Sequence, residues 1–213
     1  MITLDILSDP ICPWCLIGKT LLDRAVARHP DQPFAIAWHP FMLNPDMPPE
    51  GVDRRAYLEA KFGGPAGAAR VYGRIAEFAR EAGVEIDFDT IARTPSTVDA
   101  HRLIHWAGLE GRQGAVVDAL FRAYFREGRD IGDKAVLAEI AGEAGMDAQM
   151  TATLLAGEAD VAEIRARDAD ARARGVNGVP TFVVAGQYVL SGAQPTDTWE
   201  KVIEELSRVG TEA

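Results

Sequence analysis

The chain of 213 residues has only 2 cysteines, Cys12 and Cys15, and it lacks an apolar run long enough to cross a membrane. A disulfide between these two would close a very short loop, so a framework of structural disulfides is excluded. A transmembrane helix needs about 18 or more consecutive apolar residues, and no stretch approaches that length. Residues 1–5 have neither the basic start nor the apolar run of a secretory signal. We therefore expect a cytoplasmic protein with no membrane partner.

Positive charge is also scarce, because 22 Lys and Arg residues stand against 32 Asp and Glu residues, a net charge of −10. This balance lacks the basic footprint of a nucleic-acid-binding protein, and anionic membrane surfaces would repel it. Hydrophobic residues make up 47% of the chain, an ordinary value for a globular protein that is long enough to bury its own core. We expect a globular protein with no nucleic-acid partner.

The first 40 residues change from strand to helix periodicity and back again. Apolar and polar residues alternate over positions 2–6 and again over 34–38, which predicts two strands. Between them, apolar residues recur at helical spacing from Pro13 to about His29. His39-Pro40 ends the second strand, because proline and the residue before it disfavour continued pairing. This β-α-β order predicts a parallel pair of strands with a right-handed crossover.

The middle of the chain, from roughly Asp53 to Arg174, is predicted to be helical throughout. Alternating charges from Glu158 to Arg174, which include the pairs Glu163 with Arg167 and Asp168 with Arg172, predict a solvated helix face. The predicted helix starts are Ser96-x-x-Asp99, Asp133 and Asp147, and the predicted helix ends are Gly83, Gly108, Gly128, Gly145 and Gly175.

Strand patterns return near the C-terminus. Residues 181–184 and 188–190 are β-rich runs on either side of Ala185-Gly186-Gln187, which predicts a hairpin, and Pro195 opens a last amphipathic helix. The order β-α-β, helical block, β-β-α predicts an α/β protein with a thioredoxin-like fold and a large helical insertion domain. We place the thioredoxin-like domain at 1–51 and 175–213 and the inserted domain at 52–174.

The segment Asp-Pro-Ile-Cys-Pro-Trp-Cys, from Asp9 to Cys15, lies where the first strand gives way to a helix. Cys12 falls at the predicted N-cap and Pro13 at the first helical position, where its missing N–H has no cost. Free backbone N–H groups and the helix dipole favour a thiolate there, and such sites lower a cysteine pKa from about 8.5 into the range of roughly 3.5–7.5. We expect Cys12 to be an exposed nucleophile, Cys15 a buried resolving thiol, and Trp14 an exposed aromatic contact for substrate.

A Cys-x-x-Cys pair in a reducing compartment is either a redox couple or half of a metal site. His101 and His105, four residues apart, are the candidates to complete a zinc site with Cys12 and Cys15. The histidines are distant in sequence, however, and Pro-Trp between the cysteines is not typical of a compact zinc knuckle. We therefore predict no metal site. We expect His105 to pack on a helix, and His101 either to pack on that helix or to line the wall of the active site.

The segment Gly178-Val179-Pro180-Thr181-Phe182 places a proline directly before a predicted strand. A proline opening a strand needs no special explanation, although the bond before it adopts the cis form more readily than other peptide bonds. In a thioredoxin-like fold this loop faces the cysteine pair. The backbone groups of Val179 are then free to pair with an extended substrate, and we count Val179 and Pro180 with Pro13 and Trp14 as substrate-binding residues.

The block Ser8-Asp9-Pro10-x-Cys12-Pro13-Trp14-Cys15-Leu16-Ile17-Gly18-Lys19 resembles the active-site block of the DsbA-like thioredoxin superfamily, and within it the FrnE branch of dithiol–disulfide isomerases. Further similar blocks follow in order along the chain: Pro40-Phe41-x-Leu43-Asn44-Pro45, Ala100-His101-Arg102-Leu103, Gly175-Val176-x-Gly178-Val179-Pro180-Thr181-Phe182 and Ser191-Gly192-Ala193-Gln194-Pro195.

This resemblance implies a thioredoxin fold with a helical insertion, a cis bond before Pro180, and Cys12 as the nucleophile. Members of the superfamily often carry an acidic residue on the first strand that relays a proton to the resolving cysteine. Asp5 is the candidate here, although its spacing departs from that pattern by one residue and Ile6 stands at the equivalent position.

The leading hypothesis is a thiol–disulfide oxidoreductase that acts on protein or small-molecule thiols and disulfides. It needs no cofactor beyond its own Cys12–Cys15 disulfide, with glutathione as a candidate co-substrate. The absence of a basic side chain between the cysteines predicts a potential less oxidising than the value of about −120 mV for DsbA, which favours reductase or isomerase work. One alternative is a glutathione-dependent isomerase or transferase of the 2-hydroxychromene-2-carboxylate isomerase or kappa type, which does not need Cys15. A non-catalytic interaction protein is the other.

Overall fold

The computed structural model describes residues 1–211, and its first three elements form the predicted β-α-β unit. Strand β1 (Ile2–Ser8) leads into helix α1 (Pro13–Arg28), and strand β2 (Phe34–Pro40) follows. The two strands pair in parallel over their full length, from Ile2 opposite Phe34 to Ser8 opposite Pro40. Alternation along β1 places Leu4 and Ile6 in the core beneath α1.

The middle of the chain is mostly helical, as predicted, but it also contains two short strands. Its elements are β3 (Val52–Asp53), α2 (Arg54–Phe62), α3 (Pro65–Glu81), β4 (Arg93–Thr94), α4 (Val98–Leu109), α5 (Gln113–Phe125), α6 (Lys134–Glu143), α7 (Ala148–Ala156) and α8 (Val161–Ala173). Strands β3 and β4 form an antiparallel pair of two residues each. The prediction of helix throughout was wrong there, because two residues are too few to show a periodicity.

Several predicted helix boundaries are confirmed and two are wrong. Asp133 and Asp147 are N-caps whose carboxylates accept hydrogen bonds from Ala135 N and Met150 N. Helix α4, however, begins after Thr97 and not at Ser96, and Gly108 lies inside it instead of ending it. The predicted end of α4 was wrong because glycine is preferred at helix ends but also occurs inside helices.

The charged face of α8 is only partly solvated. Arg167 and Glu163 form the predicted pair, with 2.7 Å between Nε and Oε1. Asp168, in contrast, is buried, and besides Arg172 it accepts a hydrogen bond from Met42 N at 2.7 Å. The prediction of a solvated Asp168 was wrong because the segment after β2, which the charge pattern does not reveal, lies against this part of the helix.

The last elements are strands β5 (Thr181–Val184) and β6 (Tyr188–Ser191), which form the predicted hairpin, and helix α9 (Thr196–Thr211). Strand β5 also pairs antiparallel with β1, so the sheet has the order β2-β1-β5-β6. This mixed sheet with helices on both sides is the predicted α/β, thioredoxin-like fold with a helical insertion.

One apolar core joins the sheet to the helices. Phe182 of β5 packs edge-on against Trp199 of α9, with 4.8 Å between ring centroids, and Leu103 and Leu120 of the helical region belong to the same buried cluster. The domain boundaries 1–51, 52–174 and 175–213 stay a prediction, and residues 212–213 lie outside the described part of the chain. Within residues 1–211, the helices fall short of the length and hydropathy that a membrane span requires.

Candidate active site

Both cysteines lie at the start of α1, as the motif predicts. Cys12 is the N-cap, with φ −88° and ψ 115°, and Pro13 is the first helical residue. Cys15 N donates a hydrogen bond to the Cys12 carbonyl at 3.0 Å, which closes the first turn of the helix. The two cysteine side chains therefore lie on the same side of the helix N-terminus. The thiols are free and not joined in a disulfide. The helix N-terminus therefore holds a dithiol in which Cys12 receives the positive end of the helix dipole.

Neither thiol is exposed, so the prediction of an exposed Cys12 was wrong. The exposed fraction of Cys12 is 3% and that of Cys15 is 1%. The Cys12 thiol donates to the Val179 carbonyl, with 3.6 Å between sulfur and oxygen. Trp14, also predicted to be exposed, is half-buried, and its ring lies edge-on to Phe78 of α3 at 5.1 Å. Helix α3 thus reaches the cysteine motif, a contact that the motif's own sequence does not reveal.

The environment of Cys15 opposes loss of its proton. Burial raises the pKa of this thiol well above its ordinary value, and the adjacent Cys12 raises it further. The Ser8 hydroxyl and the Asp9 backbone N–H lie against the sulfur and act in the opposite direction. A resolving thiolate at Cys15 therefore needs a base that removes its proton.

The loop before β5 faces the cysteines from the opposite side. Its Val179–Pro180 peptide bond is cis, the isomer that the resemblance implies. The Val179 carbonyl contacts Cys12, and Pro180 packs on α1 at Gly18, where a Cβ atom would come within 3.0 Å of Pro180 Cγ. The structure therefore brings together Cys12, Cys15, Val179 and Pro180, which lie at opposite ends of the chain.

Asp5, the sequence-based candidate for a proton relay, lies on the other face of the sheet. Its Oδ1 atom is 2.7 Å from His39 Nε2, and both side chains line a cavity of about 560 Å³ between the sheet and α8. Its neighbour Ile6 points into the core that contains both cysteines. Since successive side chains of a strand point to opposite faces, Asp5 does not face the dithiol.

A different acidic residue, Asp9, contacts the dithiol through its backbone N–H, which lies against the Cys15 sulfur. Asp9 is completely buried, and its carboxyl accepts hydrogen bonds from Leu43 N at 2.7 Å and Ile11 N at 3.4 Å. Burial raises the pKa of Asp9 from 3.8 to about 7, although these hydrogen bonds act against the rise. The sequence motif indicates the position of Asp9 but not its burial, so it does not predict that Asp9 titrates near neutral pH.

His101, which the sequence assigned either to helix packing or to the wall of the active site, faces Asp9. Its exposed fraction is 2%, and Nε2 lies 3.9 Å from Asp9 Oδ1 without a hydrogen-bond partner in the described structure. Burial lowers the pKa of His101 from 6.5 to about 4. His105 is turned elsewhere, with Nδ1 at 3.4 Å from Arg167. Within residues 1–211, no group of three or more His, Cys, Asp or Glu side chains is arranged to hold a metal ion.

A buried arginine lies on the helical side of the site. Arg54, the first residue of α2, is 7% exposed, and its guanidinium lies over the rings of Tyr72 at 4.7 Å and Phe88 at 5.5 Å. Within residues 1–211, it forms no ion pair with a carboxylate. Burial raises the pKa of Tyr72, Arg54 lowers it, and the charge of Cys12 raises it. Arg54 is therefore a buried cation held against aromatic rings and not by a carboxylate within residues 1–211.

A family model described as DSBA-like thioredoxin domain matches residues 3–204. The structure of a probable DsbA oxidoreductase from Streptomyces coelicolor is 32% identical, with a TM-score of 0.84 over 96% of this chain and 89% of that chain. The structure of a 2-hydroxychromene-2-carboxylate isomerase is 16% identical in sequence, with a TM-score of 0.73 over 99% of this chain and 98% of that chain. The cytosolic disulfide reductase DsbM from Pseudomonas aeruginosa, whose structure was also solved with glutathione, is 23% identical in sequence. Its TM-score is 0.69 over 97% of this chain and 99% of that chain.

Proposed function

Because the chain belongs to the DsbA-like thioredoxin family, we propose that it is a thiol–disulfide oxidoreductase that uses Cys12 and Cys15 as a reversible redox pair. The observation that carries this proposal is the placement of Cys12 at the N-cap of α1, one turn before Cys15 and against the Val179 carbonyl. Backbone N–H groups at a helix N-terminus favour a thiolate, which is the nucleophile in disulfide exchange. The second thiol lies where it can complete the reaction.

In the reductive direction, the Cys12 thiolate attacks one sulfur of a substrate disulfide. A bond forms between Cys12 and that sulfur, the substrate S–S bond breaks, and the other substrate sulfur leaves as a thiolate. Cys15, once deprotonated, attacks the Cys12 sulfur and releases the second substrate thiolate, so two electrons pass from the dithiol to the substrate. The reverse sequence oxidises a substrate dithiol, and isomerisation of protein disulfides uses the first step in both directions.

We propose that the physiological direction is reduction or isomerisation in the cytoplasm. Pro13 and Trp14 place no basic side chain between the cysteines, so the site lacks one source of the stabilised thiolate that makes DsbA strongly oxidising at about −120 mV. DsbM, which shares the fold, is a cytosolic reductase. Equilibration of Cys12 and Cys15 with glutathione buffers measures the potential, and a value near that of DsbA contradicts this direction.

We also propose glutathione as a co-substrate that reacts at Cys12. Glutathione is a small anionic thiol, and Arg54 supplies a cation that has no carboxylate partner in the described residues. Arg54 lies over Tyr72, and the charge of Cys12 acts on the same tyrosine. The same arrangement suits the alternative function, a glutathione-dependent isomerase of the type found among the fold relatives. The two functions differ in their need for Cys15, because an isomerase of that type has no resolving step.

Replacement of Cys15 by serine separates these functions. We expect Cys15→Ser to accumulate mixed disulfides between Cys12 and its substrates, detected by non-reducing electrophoresis and mass spectrometry. Cys12→Ser is the matched control, because it keeps one thiol of the pair and should trap nothing. Multiple turnover of a disulfide substrate should fall sharply in both variants. Full turnover by Cys15→Ser with glutathione, and no trapped species, would support the isomerase instead.

A further inference from the structure

The face of the sheet that does not meet the dithiol borders a cavity of about 560 Å³, which we call the α8 cavity. The strand register places its sheet residues on one face, because Asp5 is opposite Val183 and Val183 is opposite Val189. Ile6 and the cysteines belong to the core on the other face. The sheet residues that line the α8 cavity are Asp5, Leu7, His39, Thr181, Val183, Val189 and Ser191.

Helix α8 forms the opposite wall and presents an unusually polar surface to the sheet. Arg167, Asp170 and Ala171 of α8 and Arg174 at its C-cap line the cavity, at the spacing of one helix face. A helix that covers a sheet normally presents apolar side chains to it, and Ala171 is the only apolar side chain of these four. The buried apolar cluster on this side is small, and its buried members are Leu7, Phe41 and Ala171. The helix and the sheet therefore enclose a space that no packed core fills.

The size and surface of the α8 cavity suit a small organic molecule. Sites that hold such molecules have volumes of roughly 300–1,000 Å³, with mostly apolar walls and a few polar groups. Leu7, Val176 and Val183 supply apolar surface here. Val189 at the border of the cavity is 61% exposed, so the space is open to solvent and a ligand can enter without movement of the backbone.

The acidic groups of the lining already have basic partners within the lining. Asp5 Oδ1 lies 2.7 Å from His39 Nε2, and Asp170 Oδ2 lies 2.8 Å from Arg174 Nε. Both members of each pair line the cavity. Neither carboxylate therefore needs a cationic ligand, and the remaining charged group of the lining determines which ligand charge is favoured.

That remaining group is the guanidinium of Arg167. Its carboxylate partner, Glu163, does not line the cavity, and it contacts Arg167 through Nε at 2.7 Å. Arg167 Nη1 lies 3.4 Å from His105 Nδ1 of α4, which holds the guanidinium where α4 and α8 meet. A guanidinium has five N–H groups, and these two contacts use two of them. Arg167 therefore retains donors for an anionic group, in the geometry that suits a carboxylate or sulfonate.

We propose that the α8 cavity is a binding site for a small organic monoanion with an apolar body, such as an aryl carboxylate or sulfonate. Arg167 binds the anionic group, and the apolar body lies on Leu7 and Val183. The inference goes beyond the proposed function, because it concerns the other face of the sheet and needs no disulfide exchange. The site meets the cysteine side only through Thr181, whose hydroxyl donates to the Gly178 carbonyl at 2.8 Å.

Two dyes that share one ring system test the ligand class. Anilinonaphthalene sulfonate is a monoanion, phenylnaphthylamine is its uncharged analogue, and both fluoresce more strongly in apolar surroundings. Titration of each dye into the native protein gives its Kd. We expect Arg167→Met to raise Kd for the sulfonate about tenfold, which corresponds to about 1.4 kcal/mol, and to leave Kd for the uncharged dye as it is.

Arg165→Met is the matched control for the charge. Arg165 is also on α8, but it contacts the Pro45 carbonyl at 3.3 Å and does not line the cavity. Both Kd values should stay at their wild-type levels in this variant. An unchanged Kd for the sulfonate in Arg167→Met, or an equal rise for both dyes, would overturn the assignment of a monoanion.

Val189→Trp tests the location. Because Val189 is exposed and its side chain borders the cavity, an indole there should obstruct the space without crowding the core, and both dyes should bind at least about tenfold more weakly. Tyr188→Trp is the matched control, since Tyr188 precedes Val189 in β6, is also exposed, and points to the other face. Wild-type binding of both dyes in Val189→Trp would overturn the location and would indicate non-specific adsorption.

Further variants separate this site from the dithiol. Cys12→Ser and Arg54→Met should bind both dyes as the wild-type protein does, and weaker binding in either would place the dye at the dithiol and contradict the proposal. If Val189→Trp fails to fold, Arg167→Met still decides the matter, because its side chain is partly exposed. A protein that binds the sulfonate through Arg167 but traps no mixed disulfide would contradict the proposed function and leave this inference intact.

Discussion

Gly18 of α1 lies so close to Pro180 that a Cβ atom built on it would stand 3.0 Å from the proline Cγ and 3.3 Å from Ala193 Cα. This is the point at which the helix that carries both cysteines meets the loop before β5. The absence of a side chain at Gly18 therefore allows the N-terminal and C-terminal parts of the chain to approach each other at the dithiol. Residues 12–15 and 179–180 depend on this contact for their relative position.

Gly18→Ala should destabilise the protein by about 1–3 kcal/mol, because backbone and ring atoms must move to admit the methyl group. Urea denaturation measures the free energy of unfolding. Gly73→Ala is the matched control, since Gly73 lies inside α3 and a methyl group there would meet no neighbouring atom within 4 Å. The control should be stabilised by about 0.5–1 kcal/mol through helix propensity. Equal effects at both glycines would show that the contact at Pro180 is loose.

Asp168 of α8 accepts a hydrogen bond at 2.7 Å from Met42 N, in the segment that follows β2, and so joins that segment to the helix. It also pairs with Arg172 of the same helix, with 2.9 Å to Nε. Asp168→Ala leaves a buried N–H without its acceptor, so we expect a loss of about 2–3 kcal/mol. Asp170→Ala is the control on the same helix, because Asp170 pairs with Arg174 in solvent and should change stability by less than about 1 kcal/mol. Thermal and urea unfolding measure both, and a small effect at Asp168 would contradict its assigned role.

The pH dependence of stability should show Asp9 and His101 acting in opposite directions. Between pH 4 and pH 6.5 the native state keeps a proton on Asp9 that the unfolded state has lost, so this group lowers stability as pH rises. Over the same range the unfolded state holds a proton on His101 that the native state lacks, so this group raises stability as pH rises. The two contributions nearly cancel in the wild-type protein.

Single substitutions should reveal each contribution. As pH rises from 4.5 to 6.5, the free energy of unfolding of Asp9→Asn should increase by about 2–3 kcal/mol relative to that of the wild-type protein. His101→Gln should become less stable by a similar amount over the same interval. Urea denaturation at several pH values gives both slopes. Parallel curves for the three proteins would show that neither group titrates as its burial implies.

Arg54→Met tests recognition of glutathione by charge. We expect KM for oxidised glutathione to rise about tenfold, which corresponds to the loss of about 1.4 kcal/mol of binding. KM for an uncharged disulfide, such as hydroxyethyl disulfide, should stay constant, and kcat should change little for either substrate. The methionine keeps apolar contact with Tyr72 and Phe88, so the core around the site is retained.

Arg55→Met is the matched control for this experiment. Arg55 is the next residue of α2, it is exposed, and it pairs with Glu59 on the same helix. Its loss should leave both KM values as they are in the wild-type protein. An equal rise of KM for the charged and the uncharged disulfide in Arg54→Met would mean that Arg54 acts on the packing of the site and not on the charge of the substrate.

Local patterns predicted the elements around the site well. The β-α-β unit, the 181–191 hairpin and the position of Cys12 at a helix N-cap all follow from periodicity and from the chemistry of proline over a few residues. What these patterns could not show is burial by distant segments. Cys12 is inaccessible because α3 and the Val179 loop lie against the motif, and neither is near it in sequence.

The buried pair of Asp9 and His101 was beyond prediction for the same reason. Asp9 belongs to a recognisable block, and His101 to another, but only the packing of α4 against the sheet, where it contacts β2, brings their side chains to 3.9 Å. A lone aspartate is ordinarily a solvated acid, and a lone histidine on a helix is ordinarily part of its packing. Their protonation depends on burial, which the sequence alone does not give.

The burial of Cys12 also bears on how the protein withstands oxidants. Conversion of a thiolate to sulfinic or sulfonic acid requires repeated access of peroxide to the same sulfur, and that damage follows exposure. At 3% exposure, Cys12 is reached only when the residues around it, including Val179, move apart. The rate of that opening then limits alkylation and over-oxidation alike, so the fold protects its nucleophile during the intervals between substrates.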